Sequence, residues 1–379
     1  MVELGGVAPD AVAWRRHLHA HPELSFQERE TAAFVRERLE SFGGLELSSP
    51  TPTSVIATLR GGRSGRTLAL RADMDALPIQ EESGVEFASE TPGVMHACGH
   101  DAHTAMLLAA ARLLVARREE LAGEVRFVFQ HAEEQPPGGA AQIVAAGALD
   151  GVDAVVGCHV MSDLESGRIV ALDGPCTAAA DVFSARIVGR GGHGAEPHKS
   201  VDPIAVAAQA ISSLQHIVAR ETPPLESVVL SVTRIAGGSA DNIIPESVEF
   251  GGTVRTYRED LRRHTRSAMQ RVLAGVAAAH GATCELDYIE GYAPVVNDPT
   301  LAALVREVAG ERADEQPPLT AAEDFSAYLR RAPGCFFFVG AGSSDAFPHH
   351  HPRFTIDEAA LPVGIDALSR TALRFLRDH

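Results

Sequence analysis

Three things are missing from this chain. No apolar run is long enough to cross a bilayer, no basic start leads into an apolar stretch and cleavage site at the N-terminus, and no cysteine framework staples it. The five cysteines, Cys98, Cys158, Cys176, Cys284 and Cys335, are odd in number and scattered. Free thiols are therefore the expectation, and Cys98 is available as a ligand. Basic excess is also lacking. With 33 Lys+Arg against 50 Asp+Glu, the formal net charge is -17. Such a chain repels a phosphate backbone and an anionic membrane surface alike, so neither nucleic acid nor membrane is an expected partner. Internal repeats and low-complexity tracts are absent too. The expected setting is cytoplasmic.

What is present is a long chain with ample material for a core. At 379 residues, 45% of them hydrophobic, it suggests two domains. The stretch from about Asp10 to Phe42 carries apolar residues at helical spacing and stops at Gly43-Gly44. Ser54–Leu59 and Thr67–Arg71 read as strands around the turn GGRSG, and VRFVFQ (125–130) and AVVGC (154–158) as further strands. Thr104–Arg118 places Leu107, Leu108, Ala111, Leu114 and Val115 on one helical face. Strands alternating with helices imply a largely parallel sheet covered on both faces.

From about Ala179 the order becomes strand, helix, strand, strand, helix, strand, the split β-α-β arrangement of a small ferredoxin-like domain. After residue 291 the alternation returns, with GCFFFVGAG as a buried strand and Leu361–Leu376 as a closing helix. The fold class is thus α/β, a mostly parallel-sheet domain with an inserted α+β domain: 1–178 and 292–379 form the first, 179–291 the second.

In open α/β sheets ligands bind at the carboxyl edge of the strands. LALRADMD delivers Asp73 and Asp75 there, VRFVFQHAEE delivers Glu133 and Glu134, AVVGCHV delivers His159, and GCFFFVGAG runs into a loop holding His349, His350 and His351. MHACGHDAH adds Cys98 and His100 just ahead of a helix. Each residue alone is more often a surface imidazole, a buried thiol or a solvated carboxylate. Five distant segments pointing donors at one edge suit a two-metal hydrolytic site instead. Cys98 as thiolate can bridge two cations, its pKa lowered by them and by the helix start. Of Glu133 and Glu134, one can bind metal while the other handles the proton of the attacking water, because consecutive residues leaving a strand diverge. Asp73 is as consistent with a chain-turning role as with function. His17, His19 and His21 read as an amphipathic helix and its exit turn. Glu323-Asp324 reads as the start of a helix, with a supporting role near the metals left open.

RADMDALPI, MHACGHDAHTAMLL, FQHAEE, GCHV, GRGGHGAEPHKSVDPI, DNIIPESVEFGGTVRT, AEDFSAYL and HHHPRF, in this order, resemble the M20 metallopeptidase family. The resemblance covers nearly the whole chain and is closest to the amidohydrolase branch, with its hippurate hydrolases, N-acyl-L-amino acid amidohydrolases and plant auxin-conjugate hydrolases. It implies two divalent metal ions (Mn, Zn, Ni or Co) held by Cys98, His100, Glu134, His159 and His350, with His349 or His351 as substitutes for the last. It implies Glu133 as general base and Asp75 as the residue that orients a metal ligand. The inserted domain resembles the family's dimerisation or lid domain. There His193 is implied to stabilise the oxyanion across a homodimer, or a homotetramer, while Asn242 and Arg255 hold the substrate carboxylate. The implied reaction is hydrolysis of a small N-acyl amino acid. A dipeptidase or carboxypeptidase of the same family is the nearest alternative, and a catalytically silent metal-binding protein a more distant one.

Overall fold

The computed structural model describes residues 6–343 and 345–377, so the first five residues of the N-terminal segment lie outside the described residues. The chain divides into two compact units. One runs up to Cys176 and takes in Val296–Pro317 and the chain from Asp324 onward; the other comprises Thr177–Val295 and Pro318–Glu323. The last segment joins the second unit because Leu319 bridges Thr177 and Ala321 O accepts the amide of Ala178.

In the first unit an eight-stranded sheet has the order Glu46–Ser48, Val55–Arg60, Ala122–Gln130, Arg63–Asp73, Ala154–Glu165, Gly334–Gly342, Ile169–Val170, Ala313–Asp314. Its four central strands are parallel, and antiparallel pairs flank them. Gly334–Gly342 is buried at every position and Asp73 closes a run of six buried residues, as strands covered on both faces require. The helix His100–Ala116 is buried along almost its whole length, beneath Val7–Ala20 and against Ala360–Phe375.

The stretch from Asp10 to Phe42 forms two helices, Val7–Ala20 and Arg29–Phe42, and His21 lies at the exit of the first, as expected. His21 precedes Pro22, which disfavours the helical region, and Leu24 then bridges Ala76 of the sheet domain. The Glu23 carboxylate accepts the amides of Glu30 and Thr31, two of the orphan donors at the start of the second helix.

The second unit is a four-stranded antiparallel sheet in the order Val228–Ala236, Ser247–Thr256, Ala179–Val188, Thr283–Ile289, with helices Pro203–His216 and Glu259–Ala279. Burial along Ala179–Val188 alternates residue by residue, so one face meets the helices and the other does not. This is the expected ferredoxin-like order.

Candidate metal centre and active site

Asp73 and Gln130 are neighbours in register on parallel strands, so the turns that follow them leave the sheet side by side. Asp75 ties those turns together. Its Oδ1 accepts the Glu133 amide at 3.0 Å, and its Oδ2 accepts the Glu134 amide at 3.0 Å and the Ser25 hydroxyl at 2.7 Å. Two consecutive amides on one buried carboxylate set the directions in which the two glutamates leave the strand.

Gly99 precedes the helix His100–Ala116 with φ 93°, and a Cβ there would lie 2.4 Å from Val160 Cγ2, so only glycine fits. The next residue is thereby brought against the carboxylates. His100 Nδ1 donates to the Asp75 carbonyl at 2.9 Å. Its Nε2 is buried without a hydrogen-bond partner, 3.8 Å from Asp73 Oδ2 and 3.9 Å from Glu134 Oε1. Burial opposes a charge on this ring, yet Asp73, Asp75 and Glu134 push it up to about 10. The surroundings therefore favour a cation.

The sequence places His159 at a strand end, but its strand continues to Glu165. What ends there is the pairing with Arg63–Asp73, whose last register pair is Arg71 with Gly157. The freed amide of Val160 donates to His103 Nε2 at 2.8 Å, and His103 Nδ1 donates to Asp73 Oδ1 at 2.6 Å. Both nitrogens of His103 are thus engaged in protein contacts. His159 donates Nδ1 to the Val160 carbonyl at 2.7 Å and presents Nε2 3.4 Å from Cys98 Sγ. Burial, with His103 and His349 nearby, holds its pKa well below the ordinary range, so the ring is neutral, as a ligand must be.

Burial, together with Glu134, Glu133 and Asp73, pushes the Cys98 thiol up. The helix start expected to lower it begins at His100 and is outweighed. A bound cation would supply the opposing charge that a thiolate needs here.

The three contiguous histidines diverge. His350 has φ 65° and brings Nε2 to 3.3 Å from Glu134 Oε1. His349 is largely buried, accepts the Ser162 amide at Nε2 and packs its ring 5.3 Å from that of His159. His351 stacks on Phe347 and accepts the Arg353 amide. Ligand atoms converge within 4.8 Å in Cys98–Glu134–His350, in Cys98–His159–His349 and in His100–Glu133–Glu134, and His351 belongs to none of the groups found among the described residues. Thiol, imidazole and carboxylate donors, an orphaned imidazole nitrogen and the excess of carboxylates fit a pair of borderline divalent cations.

Asp73 does more than turn the chain. Besides His103 it binds Arg71 Nη1 at 2.7 Å, while Arg71 Nη2 reaches Asp324 at 2.9 Å and Gln130 Nε2 donates to the same carboxylate. Asp324, expected at a helix start, also accepts the amide of Ala140. Sequence reasoning missed His103. Its spacing of three from His100 on a helix puts it on the same face, and that is the available signal.

His193, Asn242 and Arg255 lie in the second unit. His193 and Ile243 pair in a short ribbon between segments distant in sequence, and Gly194 N donates to Asn242 O beside it at 2.8 Å, so His193 and Asn242 are brought together, both exposed. Arg255 sits in the central strand Ser247–Thr256, opposite Val229 and Ala180, with a buried Nη1 that has no hydrogen-bond partner.

Residues 69–374 match the profile of Peptidase family M20/M25/M40. An N-acyl-L-amino acid amidohydrolase of Geobacillus stearothermophilus is 58% identical over 291 residues, 77% of this chain and 79% of its own length. Thermostable carboxypeptidase 2 of Saccharolobus solfataricus is 41% identical over 369 residues, 95% and 94% of the two lengths. Among solved structures, a dinuclear metal-binding M20 peptidase of Bacillus subtilis superposes with a TM-score of 0.88 at 39% identity, covering 98% of this chain and 99% of that one.

Proposed function

The chain belongs to Peptidase family M20/M25/M40, and from that premise we propose that it is a metal-dependent amidohydrolase that cleaves N-acyl amino acids to a carboxylic acid and a free amino acid. The observation that carries this reading is the double grip of Asp75 on the Glu133 and Glu134 amides beside the Cys98, His100 and His159 donors. In this reading Cys98, His100, Glu134, His159 and His350 hold two divalent cations, Mn, Zn, Ni or Co. When bound, the pair supplies Lewis acidity and a water acidic enough to be used at neutral pH.

The chain's own residues do the rest. Nδ1 of His100 and of His159 each donates to a carbonyl, which directs both Nε2 atoms to the cluster. Asp75 fixes the turn and so keeps Glu133 beside Glu134 with its own direction. Glu133 takes the proton of the attacking water and returns it to the departing amine. His193 donates to the oxyanion, while Asn242 and Arg255 hold the substrate carboxylate. The exposed Val182 and Ile289, paired across neighbouring strands on the sheet face turned away from the helices, support a homodimer formed through the inserted domain. An acidic chain whose five cysteines are free supports a cytoplasmic setting.

Hydrolysis of hippurate and N-acetyl amino acids by metal-loaded protein tests the proposal. Glu133→Gln should keep the metal, by elemental analysis, and lose about 10²- to 10⁴-fold in kcat. A mutant that stays active would remove Glu133 as the base. The likeness to a carboxypeptidase makes peptide hydrolysis the second reading, and a preference for dipeptides in the same panel would select it.

A further inference from the structure

Among the described residues only Phe26, Ala132 and His350 are non-glycines with positive φ. Two of them share a single hydrogen-bond acceptor. Glu28 Oε1 accepts the Phe26 amide at 2.9 Å and the Ala132 amide at 2.8 Å, while Oε2 accepts the Thr53 hydroxyl at 3.0 Å. Both Glu28 and Ala132 are fully buried. The Ala132 carbonyl in turn accepts the Gly139 amide, and Phe26 packs edge-on against the ring of His131. Ala132 immediately precedes Glu133, so its backbone angle decides the line along which that glutamate leaves the strand. Asp75 holds the turn from one side through the amides of Glu133 and Glu134; Glu28 holds it through the residue before them.

We propose that Glu28 is a positioning residue for the base: its carboxylate clamps Ala132 in the left-handed conformation and thereby aims Glu133. The inference rests on the assignment of Glu133 proposed above, but the clamp has a readout of its own. A left-handed alanine is sterically disfavoured, whereas a glycine adopts that region readily. Shape and acceptor can also be separated at position 28, since Gln keeps both and Met keeps only the size.

The test compares Glu28→Gln, Glu28→Met and Glu28→Met/Ala132→Gly in the metal-loaded enzyme. Expected are a kcat within about threefold of wild type for Gln, a loss of about 10- to 100-fold for Met with KM and metal content unchanged, and partial recovery in the double variant, by the sensitivity of catalysis to small misplacements. Amide hydrogen exchange over residues 130–136 should be slow in wild type and in Gln, and faster in Met. The proposal is overturned if Met keeps wild-type kcat, if Gln is as impaired as Met, if Met acts through KM or metal loss, or if glycine brings no recovery. Should the Met variant not fold, exchange in the wild type decides alone: an Ala132 amide as protected as those of the sheet supports the clamp, and a freely exchanging one removes it. Wild-type protein inactive on every amide would sink the proposed function, while the exchange data would still judge the clamp.

Discussion

Each unit buries a carboxylate among hydrogen-bond donors, and the two differ in what is left over. In the second unit Asp181 Oδ2 accepts Arg262 Nε at 2.9 Å and Tyr288 OH at 2.7 Å, while its Oδ1 accepts Arg262 Nη2 and the Gly291 amide, the latter at 3.0 Å. Both oxygens of Asp181 are matched by donors, Arg262 reaches Glu259 with its remaining nitrogen, and the cluster is closed. In the first unit Asp73, Asp75, Glu133 and Glu134 gather with Arg71 bound to Asp73, while His100 Nε2 has no hydrogen-bond partner and His159 Nε2 points at a thiol. Closed networks serve as scaffold. An unbalanced one, whose donors are held in place by partners on their other atoms, is built to receive something charged.

The sharpest way to break this comparison is to open the closed cluster. Arg262→Ala leaves Asp181 buried beside Tyr288 without its cation and should cost about 3–5 kcal/mol in urea unfolding. Metal content per folded molecule should not change. Cys98→Ala inverts the pattern. Metal affinity, measured by competition with a chelator, should fall at least about tenfold, while the stability of the metal-free protein changes by about 1 kcal/mol or less, since one buried sulfur is lost from a cluster that does not hold the fold together. A large loss of metal-free stability would show that Cys98 belongs to the scaffold.

Arg255 is the smallest and most informative case, because it is a cation of the second unit whose buried Nη1 lacks a hydrogen-bond partner. Burial lowers its pKa while Asp181 opposes the shift, and a carboxylate ligand would offset that burial. Arg255→Ala should raise KM about tenfold for N-acyl amino acids with a free carboxylate, the order of one charge-assisted hydrogen bond, and leave their amides or esters nearly unaffected. Equal effects on both substrate classes would assign the residue to packing.

Much of the fold and of the site is legible in the amino-acid order. GCFFFVGAG reads as a buried strand and is one, and the strand-helix order from Ala179 specifies the topology of the inserted sheet. The sequence offers Cys98, Glu134 and His350 from separate segments, and the structure brings their ligand atoms within 4.8 Å of one another. The exit turn after His19 is legible, but what holds it, Leu24 pairing with Ala76, is a contact between residues far apart in the chain. The misreadings have local causes. His159 lies mid-strand, because only the neighbouring strand stops there. His349, His350 and His351 are indistinguishable by spacing; the positive φ at His350 sends the three side chains to different neighbours.

Periodicity, turn chemistry and motif spacing act over a few residues, and by themselves they determined most of the strands and helices and which residue types are offered to a metal. The tertiary structure alone decided how those residues are aimed. Glu28 meets Ala132 across 104 positions and Arg71 meets Asp324 across 253, and both contacts exist only once the sheet has assembled. Orientation depends on such closures, because a hydrogen bond within a turn constrains its neighbours, whereas one between distant segments also fixes the turn against everything around it.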